Sequence, residues 1–267
     1  MTRILIAGDW HGFTEQGVFA LHVAKKYDCD IVFQLGDFGY WEHFDDGIVY
    51  LDKLNRVSKQ TDDIPIYWID GNHENHPLLW KTYEDRDDED GFLQIRDNIF
   101  YCPRGNVWEW DGVRFMGMGG AFSIDRNARK VGKSFWFEET ITEDDVLNAI
   151  YQLNGEYVDV MFTHDTPLQV DLPFQMAKQG RSISMSSEST ANRILLDDVI
   201  TKAQPKYLFH GHMHLNYKDK VKMQYGYRYD GLHVHGLDEG SAGMDAIWIL
   251  DTRDVVDLRD NGLVDKP

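Results

Sequence analysis

Five apolar runs in this chain each stop at residues able to bind a metal ion. "RILIAG" (3–8) leads into Asp9 and His11, "DIVFQLG" (30–36) into Asp37, and "PIYWID" (65–70) into Asn72 and His73. "YVDVMFT" (157–163) stops at His164, and "KYLFH" (206–210) runs on to His212 and His214. Carboxylate, carboxamide and imidazole groups together suit divalent first-row metals better than thiolate-seeking ones. Histidines 210, 212 and 214 could lie on one side of an extended chain, because residues i and i+2 do. Taken alone, three histidines in five residues fit a polar loop as well as a metal site. Five such endings converge on one site, because open α/β sheets bind ligands at the carboxyl ends of their strands.

The elements that must position these residues follow from the apolar pattern. Continuous Ile/Val/Leu/Phe runs without alternation read as strands covered on both faces, of the parallel type. Between them, 14–27 places Val18, Leu21 and Ala24 at helical spacing, and 45–59 places Ile48, Leu51, Leu54 and Val57 on one flank. Pro77 suits the first turn of a helix through "LLWKTYED". Thr142 with Asp145 forms a capping-box pattern that opens a helix at 142–153, and 188–203 is a further helix. Hairpins are expected about Asp111-Gly112, about Asp230-Gly231, and within "AIWILDTRDVVDL". The acidic run 84–91 reads as a solvated loop. Gly8, Gly36, Gly71 and Gly211 precede the ligand-type residues, and sharp turns at strand ends would explain them. The expected architecture is α/β, with two packed sheets flanked by helices in one domain over 1–267.

Composition narrows the function classes. The 267 residues suffice for a full core, and no apolar stretch approaches the roughly 20 residues that span a bilayer. The N-terminal apolar run is too short for a signal peptide, and two cysteines imply no disulfide framework; a reduced cytoplasmic protein is the expectation. A net charge of −18 repels nucleic-acid backbones, so no stable nucleic-acid partner and no membrane is expected. A pocket for one small phosphate ester stays open, since bound cations reverse the sign locally.

The ordered set "GDWH…GDFG…GNHE…H…GHMH" resembles the signature of the calcineurin-like metallophosphoesterases over residues 8–214. The resemblance implies a four-layer αββα sandwich of two mixed sheets flanked by helices. It also implies a pair of divalent or transition metal ions, Mn²⁺ foremost, with Fe or Zn²⁺ as alternatives. Asp9, His11, Asp37 and His214 would hold one ion; Asp37 would bridge to a second, completed by Asn72, His164 and His212. Two such ions can share a water and clamp an in-line phosphoryl displacement. His73 resembles the family's non-ligand histidine, which protonates the leaving oxygen or steadies the phosphoryl group. His210 matches no ligand position, so core packing or a hydrogen bond to a ligand is expected of it. His22, His43, His76, His233 and His235 are likewise expected not to bind metal.

Two departures bear on substrate. Branches that act as protein phosphatases or on dinucleoside tetraphosphates carry Arg before "GNHE" and "Asp-Arg-Gly" after the second motif. Here Asp70 stands in the first place and the second motif reads "GDFGYW". The pattern is closer to the bacterial and phage phosphodiesterase-like branch, and a diester carries less charge to neutralise. A dinuclear phosphodiesterase for small or nucleotide-like diesters is therefore expected. A phosphomonoesterase or protein phosphatase, an inactive scaffold and a nuclease are the rivals. Arg126 and Arg129 in "GGAFSIDRNARK" and Arg181 in "KQGRSISMSSEST" are candidate substrate contacts, or parts of solvated loops. Phe122, Phe135 and Trp136 would stack on a base or belong to the core.

Overall fold

The computed structural model describes residues 1–83, 91–223 and 226–260. The acidic run at 84–91, expected as a solvated loop, falls almost wholly outside the described residues. The chain begins with β1 (Arg3–Ala7), α1 (Thr14–Lys26), β2 (Ile31–Gln34), α2 (Asp45–Gln60), β3 (Ile66–Trp68) and α3 (His76–Tyr83). Strands β4 (Leu93–Arg96), β5 (Ile99–Tyr101), β6 (Val107–Trp110) and β7 (Val113–Met118) follow, then α4 (Glu143–Leu153) and β8 (Val160–Thr163). Next come α5 (Leu172–Lys178), α6 (Ser187–Ala203), β9 (Tyr207–His210), β10 (Tyr217–Val221) and β11 (Leu232–Gly236), and then β12 (Ile247–Asp251) and α7 (Thr252–Asp260).

Two mixed six-stranded sheets result, in the orders β12-β1-β2-β3-β5-β4 and β10-β11-β9-β8-β7-β6. The apolar runs have no alternation because both faces of their strands are covered. Leu5 and Ala7 of β1 face a layer built with Leu21 and Ala24 of α1 and Leu51 and Leu54 of α2. Ile4 and Ile6 face the other way, into an inter-sheet core with Phe33, Phe115, Phe162 and Phe209. On the far side, Met116, Met161 and Leu208 pack against Val146 of α4 and Leu196, Val199 and Ile200 of α6. This is the helix–sheet–sheet–helix sandwich that the sequence called for. Phe33 and Phe162 meet across the sheets with ring centroids 4.2 Å apart, which makes the middle of the sandwich largely aromatic.

Local signals that carry their own geometry hold. Thr142 accepts from the Asp145 backbone N–H, and the Asp145 side chain accepts from the Thr142 N–H, which completes the capping box. Asp111 (φ 52°) and Gly112 (φ 76°) make the tight turn that joins β6 to β7.

Three expectations need correction. The segment after β12 is not the second arm of a hairpin but the helix α7. Thr252, Val255 and Val256 recur at i, i+3 and i+4, with Thr252 and Val255 buried, so the segment covers the inter-sheet core by one helical face. Strands β10 and β11 do pair antiparallel, yet Asp230-Gly231 is no two-residue turn between them, since β10 ends at Val221 and β11 begins at Leu232. In α2 the inward face is Tyr50, Leu51 and Leu54, with Ile48 left exposed at the rim. Strands β4 and β5 extend the first sheet at its edge and had no counterpart in the sequence reading.

Candidate metal centre

At the carboxyl ends of β1, β2, β3, β8 and β9 the chain turns sharply, and four of the ligand-type residues themselves absorb the turn. His11 (φ 49°), Asp37 (φ 52°), His212 (φ 63°) and His214 (φ 47°) all adopt the left-handed conformation that Asp and His tolerate better than most residues. The glycines divide between the purpose expected, which Gly36 serves, and a different one. Of Gly8, Gly36, Gly71 and Gly211, only Gly36 has a positive φ, at 93°. A Cβ on Gly71 would strike the Asp37 carboxylate, one on Gly211 the Asp9 carboxylate, and one on Gly8 the Asp238 carbonyl. These positions need space rather than freedom.

The structure brings all seven expected ligands together. Asp9, His11 and His214 form one group, with His214 Nε2 3.0 Å from Asp9 Oδ2 and His11 Nε2 3.1 Å from His214 Nε2. Asp37, His164 and His212 form another, with His164 Nε2 3.4 Å from Asp37 Oδ1. Asn72 joins it through Oδ1, 3.1 Å from His164 Nε2. Asp37 lies between the groups, since its other oxygen, Oδ2, is 3.8 Å from His11 Nδ1. His73 stands on the same side, with Nε2 3.6 Å from Asp37 Oδ2.

The donors fit a divalent metal centre. Asp9 and Asp37 are two carboxylates removed from solvent, and a cation would offset their repulsion. His212 Nε2 is buried with no hydrogen-bond partner among the described residues, as an imidazole awaiting a ligand would be. Burial holds the His212 ring neutral, its pKa pushed down to about 3. His164 Nδ1 donates to the Leu35 carbonyl at 2.7 Å, which turns Nε2 toward the site. Burial alone would lower the His164 pKa, but the Asp37 carboxylate outweighs it and lifts it to about 10. Burial raises Asp37, and the His73 and His164 rings overcome that and hold it well below the usual carboxylate range.

The supports are where sequence reading fell short. Glu74 is buried and bridges two loops: Oε1 accepts from the Gly39 N–H at 2.9 Å and Oε2 from the Gly71 N–H at 2.5 Å. Asn72 Nδ2 donates to Ser123 Oγ at 3.0 Å, and Ser123 Oγ donates to Glu139 Oε2 at 2.6 Å. This relay fixes which way the Asn72 amide points. Ser123→Ala is accordingly expected to weaken metal at the Asn72 end by about 10- to 100-fold while sparing the Asp9 end. Isothermal titration of the metal-stripped protein checks this, and equal affinities in variant and parent would rule it out. Asp70, in the place where other branches have Arg, is fully buried and bound by Arg104, whose Nε and Nη2 lie 2.9 and 2.6 Å from Oδ2.

The candidate substrate arginines separate. Arg129 places both terminal guanidinium nitrogens on the ring nitrogens of His73, Nη1 at 2.9 Å from Nδ1. Burial, with Arg129 beside it, pulls the His73 pKa down to about 4. Arg181 donates to the His214 carbonyl. Arg126 stays one step behind, bonded to Glu139 at 3.1 Å and clasped between the rings of Phe122 and Phe135. Those two rings and Trp136 are buried. His210 is a structural residue, with Nδ1 on the Gly211 carbonyl at 2.9 Å and Nε2 on the Tyr217 hydroxyl at 2.6 Å. His22, His43, His76, His233 and His235 belong to none of these metal-type groups.

Comparisons with known proteins bear on the family and the fold. The family model described as calcineurin-like phosphoesterase matches residues 2–216. A lariat debranching enzyme of Arabidopsis thaliana is 21% identical over 234 residues, which is 82% of this chain and 49% of that enzyme. The chain thus spans about half the length of the curated relative it matches. TT1561 of Thermus thermophilus has the same fold, with a TM-score of 0.50 at 11% identity over 94% of this chain and 99% of that one. A dimetal phosphatase of Danio rerio gives a TM-score of 0.49 at 14% identity over 90% and 88% of the two chains. Among the described residues no helix is long and apolar enough to cross a membrane.

Proposed function

The chain belongs to the calcineurin-like phosphoesterase family, and from that premise we propose that it is a dinuclear metal-dependent phosphodiesterase for small or nucleotide-like diesters. The observation that carries the reading is the position of Asp37, with one oxygen toward His11 and the other toward His164. Asp9, His11, Asp37 and His214 would hold one ion, and Asp37, Asn72, His164 and His212 the other. Mn²⁺ is the proposed ion, and Fe or Zn²⁺ suits the same donors. When bound, the pair would acidify a water and offset charge on the attacking and leaving oxygens.

The chain's own residues account for the rest. Asp37 accepts the Asn72 and His73 backbone N–H groups at 2.8 and 2.9 Å, so it sets the position of both side chains at once. His73 is proposed to meet the phosphoryl group. To protonate the leaving oxygen it would need the ester's charge to draw Arg129 off and raise the ring's pKa from about 4; otherwise it holds a non-bridging oxygen. Arg129 keeps that ring in place, and Arg181 is proposed to approach the ester from the α5–α6 loop. The diester preference rests on Asp70, whose charge is taken up by Arg104 and supplies no cation to the ester. Arg129 is the observation that favours a monoester, since a guanidinium could meet a second phosphoryl charge.

Turnover decides between the two. With Mn²⁺ added, kcat/KM for methyl 4-nitrophenyl phosphate is expected to exceed that for 4-nitrophenyl phosphate by about tenfold or more, a difference of roughly 1.4 kcal/mol in the barrier. The reverse ratio would transfer the reading to a phosphomonoesterase. Turnover of neither, with both ions bound, would leave a scaffold.

A further inference from the structure

We propose that a cavity beside the His11–His73 flank of the site receives the nucleoside arm of the substrate, with preference for bases that carry an exocyclic amine. The proposal rests on the phosphodiesterase reading and names its substrate class. The cavity measures about 530 Å³, inside the range of small-ligand sites, and its walls include Gly12, Trp41, Phe44, Asp45, Asp46 and Tyr50.

Two of its walls, Gly12 and Trp41, adjoin the backbone of His11 and His73. Gly12 follows His11 directly, and a Cβ there would collide with the Trp41 ring. The Trp41 indole N–H donates to the His73 carbonyl at 2.7 Å. One of the two arms of a diester held at His11 and His73 is accordingly proposed to lie beside Trp41. Phe44 adds a ring that is 51% exposed, with the His43 ring tilted against it at 4.0 Å between centroids. An exposed aromatic face beside a nucleotide-binding centre is a stacking platform, worth about 1–3 kcal/mol for one base. The rings of Phe122 and Phe135 cannot do this, because they are buried around Arg126.

Asp45 and Asp46 determine what the platform takes. Both open α2 and there complement the helix dipole. As cavity walls they accept hydrogen bonds and donate none, and they repel a second phosphate. The arm they favour is a neutral ring system with amino donors on its edge. Adenine, guanine and cytosine have such donors, whereas uracil offers one ring N–H between two carbonyls.

The test keeps one leaving group and changes the other arm. The full-length, Mn²⁺-loaded protein is given 4-nitrophenyl esters of adenosine 5′-phosphate, uridine 5′-phosphate and methyl phosphate. The adenosine ester is expected to exceed the methyl ester in kcat/KM by about 10-fold, as one stacked base implies. The uridine ester should fall between them. Phe44→Ala should bring the adenosine-to-methyl ratio close to one, and Asp46→Asn should narrow the adenosine-to-uridine gap. A ratio near one in the parent protein overturns the proposal, and equal adenosine and uridine rates overturn its choice of base. Turnover of none of the three would instead sink the phosphodiesterase reading. In that event, binding of adenosine 5′-(methyl phosphate) to the metal-stripped protein decides the cavity: saturable binding weakened by Phe44→Ala upholds it, and no binding overturns it.

Discussion

Asp37→Ala is expected to empty both halves of the metal centre and to lower turnover by on the order of 10³-fold or more. The magnitude follows from several kcal/mol of transition-state stabilisation by the ions, at about 1.4 kcal/mol per decade. Asp37 sets Oδ2 3.8 Å from His11 Nδ1 and Oδ1 3.4 Å from His164 Nε2, whereas the contact of Asp9 with the second group is to the His212 backbone N–H. By contrast His11→Ala should weaken chiefly the Asp9 end, and His164→Ala or His212→Ala chiefly the Asn72 end. Alanine also strips an acceptor from the buried Asn72 and His73 N–H groups. Asp37→Asn retains an acceptor there and loses the charge, so it separates loop anchoring from metal binding. Metal analysis after gel filtration, alongside turnover, provides the check. An Asp37→Ala protein with two tightly held ions and near-normal turnover would show that the bridge is wrongly assigned.

His73→Ala is expected to lower turnover by about 10²- to 10⁴-fold while leaving metal content nearly intact. Asn72, not His73, is the proposed ligand from that loop. The loss should depend on the leaving group. An alkoxide needs a proton to depart, whereas a 4-nitrophenolate is stable without one. The variant should therefore suffer more on a ribose or alkyl diester than on an activated aryl diester. Equal losses on both would assign His73 to holding the phosphoryl group, a role the Arg129 contact also suits. Loss of metal together with activity would place His73 among the ligands, where its 3.6 Å approach to Asp37 makes it a neighbour of His11.

What the sequence made legible was whatever had a local signature. Strands buried on both faces read as unbroken apolar runs, so β1, β2, β3, β8 and β9 and the ligand-type residues after them stood out together. The capping box at Thr142 and the turn at Asp111-Gly112 also carry their whole geometry within a few residues. The supports did not show, because their partners are distant in the chain. Arg104 meets Asp70 across 34 residues, Ser123 meets Asn72 across 51, and neither pairing leaves a periodic mark. In sequence Asp70 stands out only as a missing arginine; its state as a buried carboxylate held by Arg104 is set by the fold. Helix α7 was misread because Thr252, Val255 and Val256 suit a strand by type and a helix by spacing, and tertiary packing chose the helix. Among the glycines before the ligands, Gly36 has the turn backbone its place suggests, whereas Gly8, Gly71 and Gly211 are set by a close carbonyl or carboxylate, which looks the same in sequence as a turn.

The left-handed backbones of His11, Asp37, His212 and His214 carry a consequence for anyone who would engineer this chain. At His11, His212 and His214 glycine is the residue the backbone would hold without strain, and a non-glycine residue there costs about 1 kcal/mol or more; at Asp37 the carboxylate anchors two backbone N–H groups, which offsets that strain. Thermostability and metal affinity are thus opposed at the same sites. A library screened for resistance to heat alone, without metal in the medium, would enrich glycine at the histidines proposed to grip the ions. The hardiest descendants of such a screen would keep the sandwich and lose its chemistry.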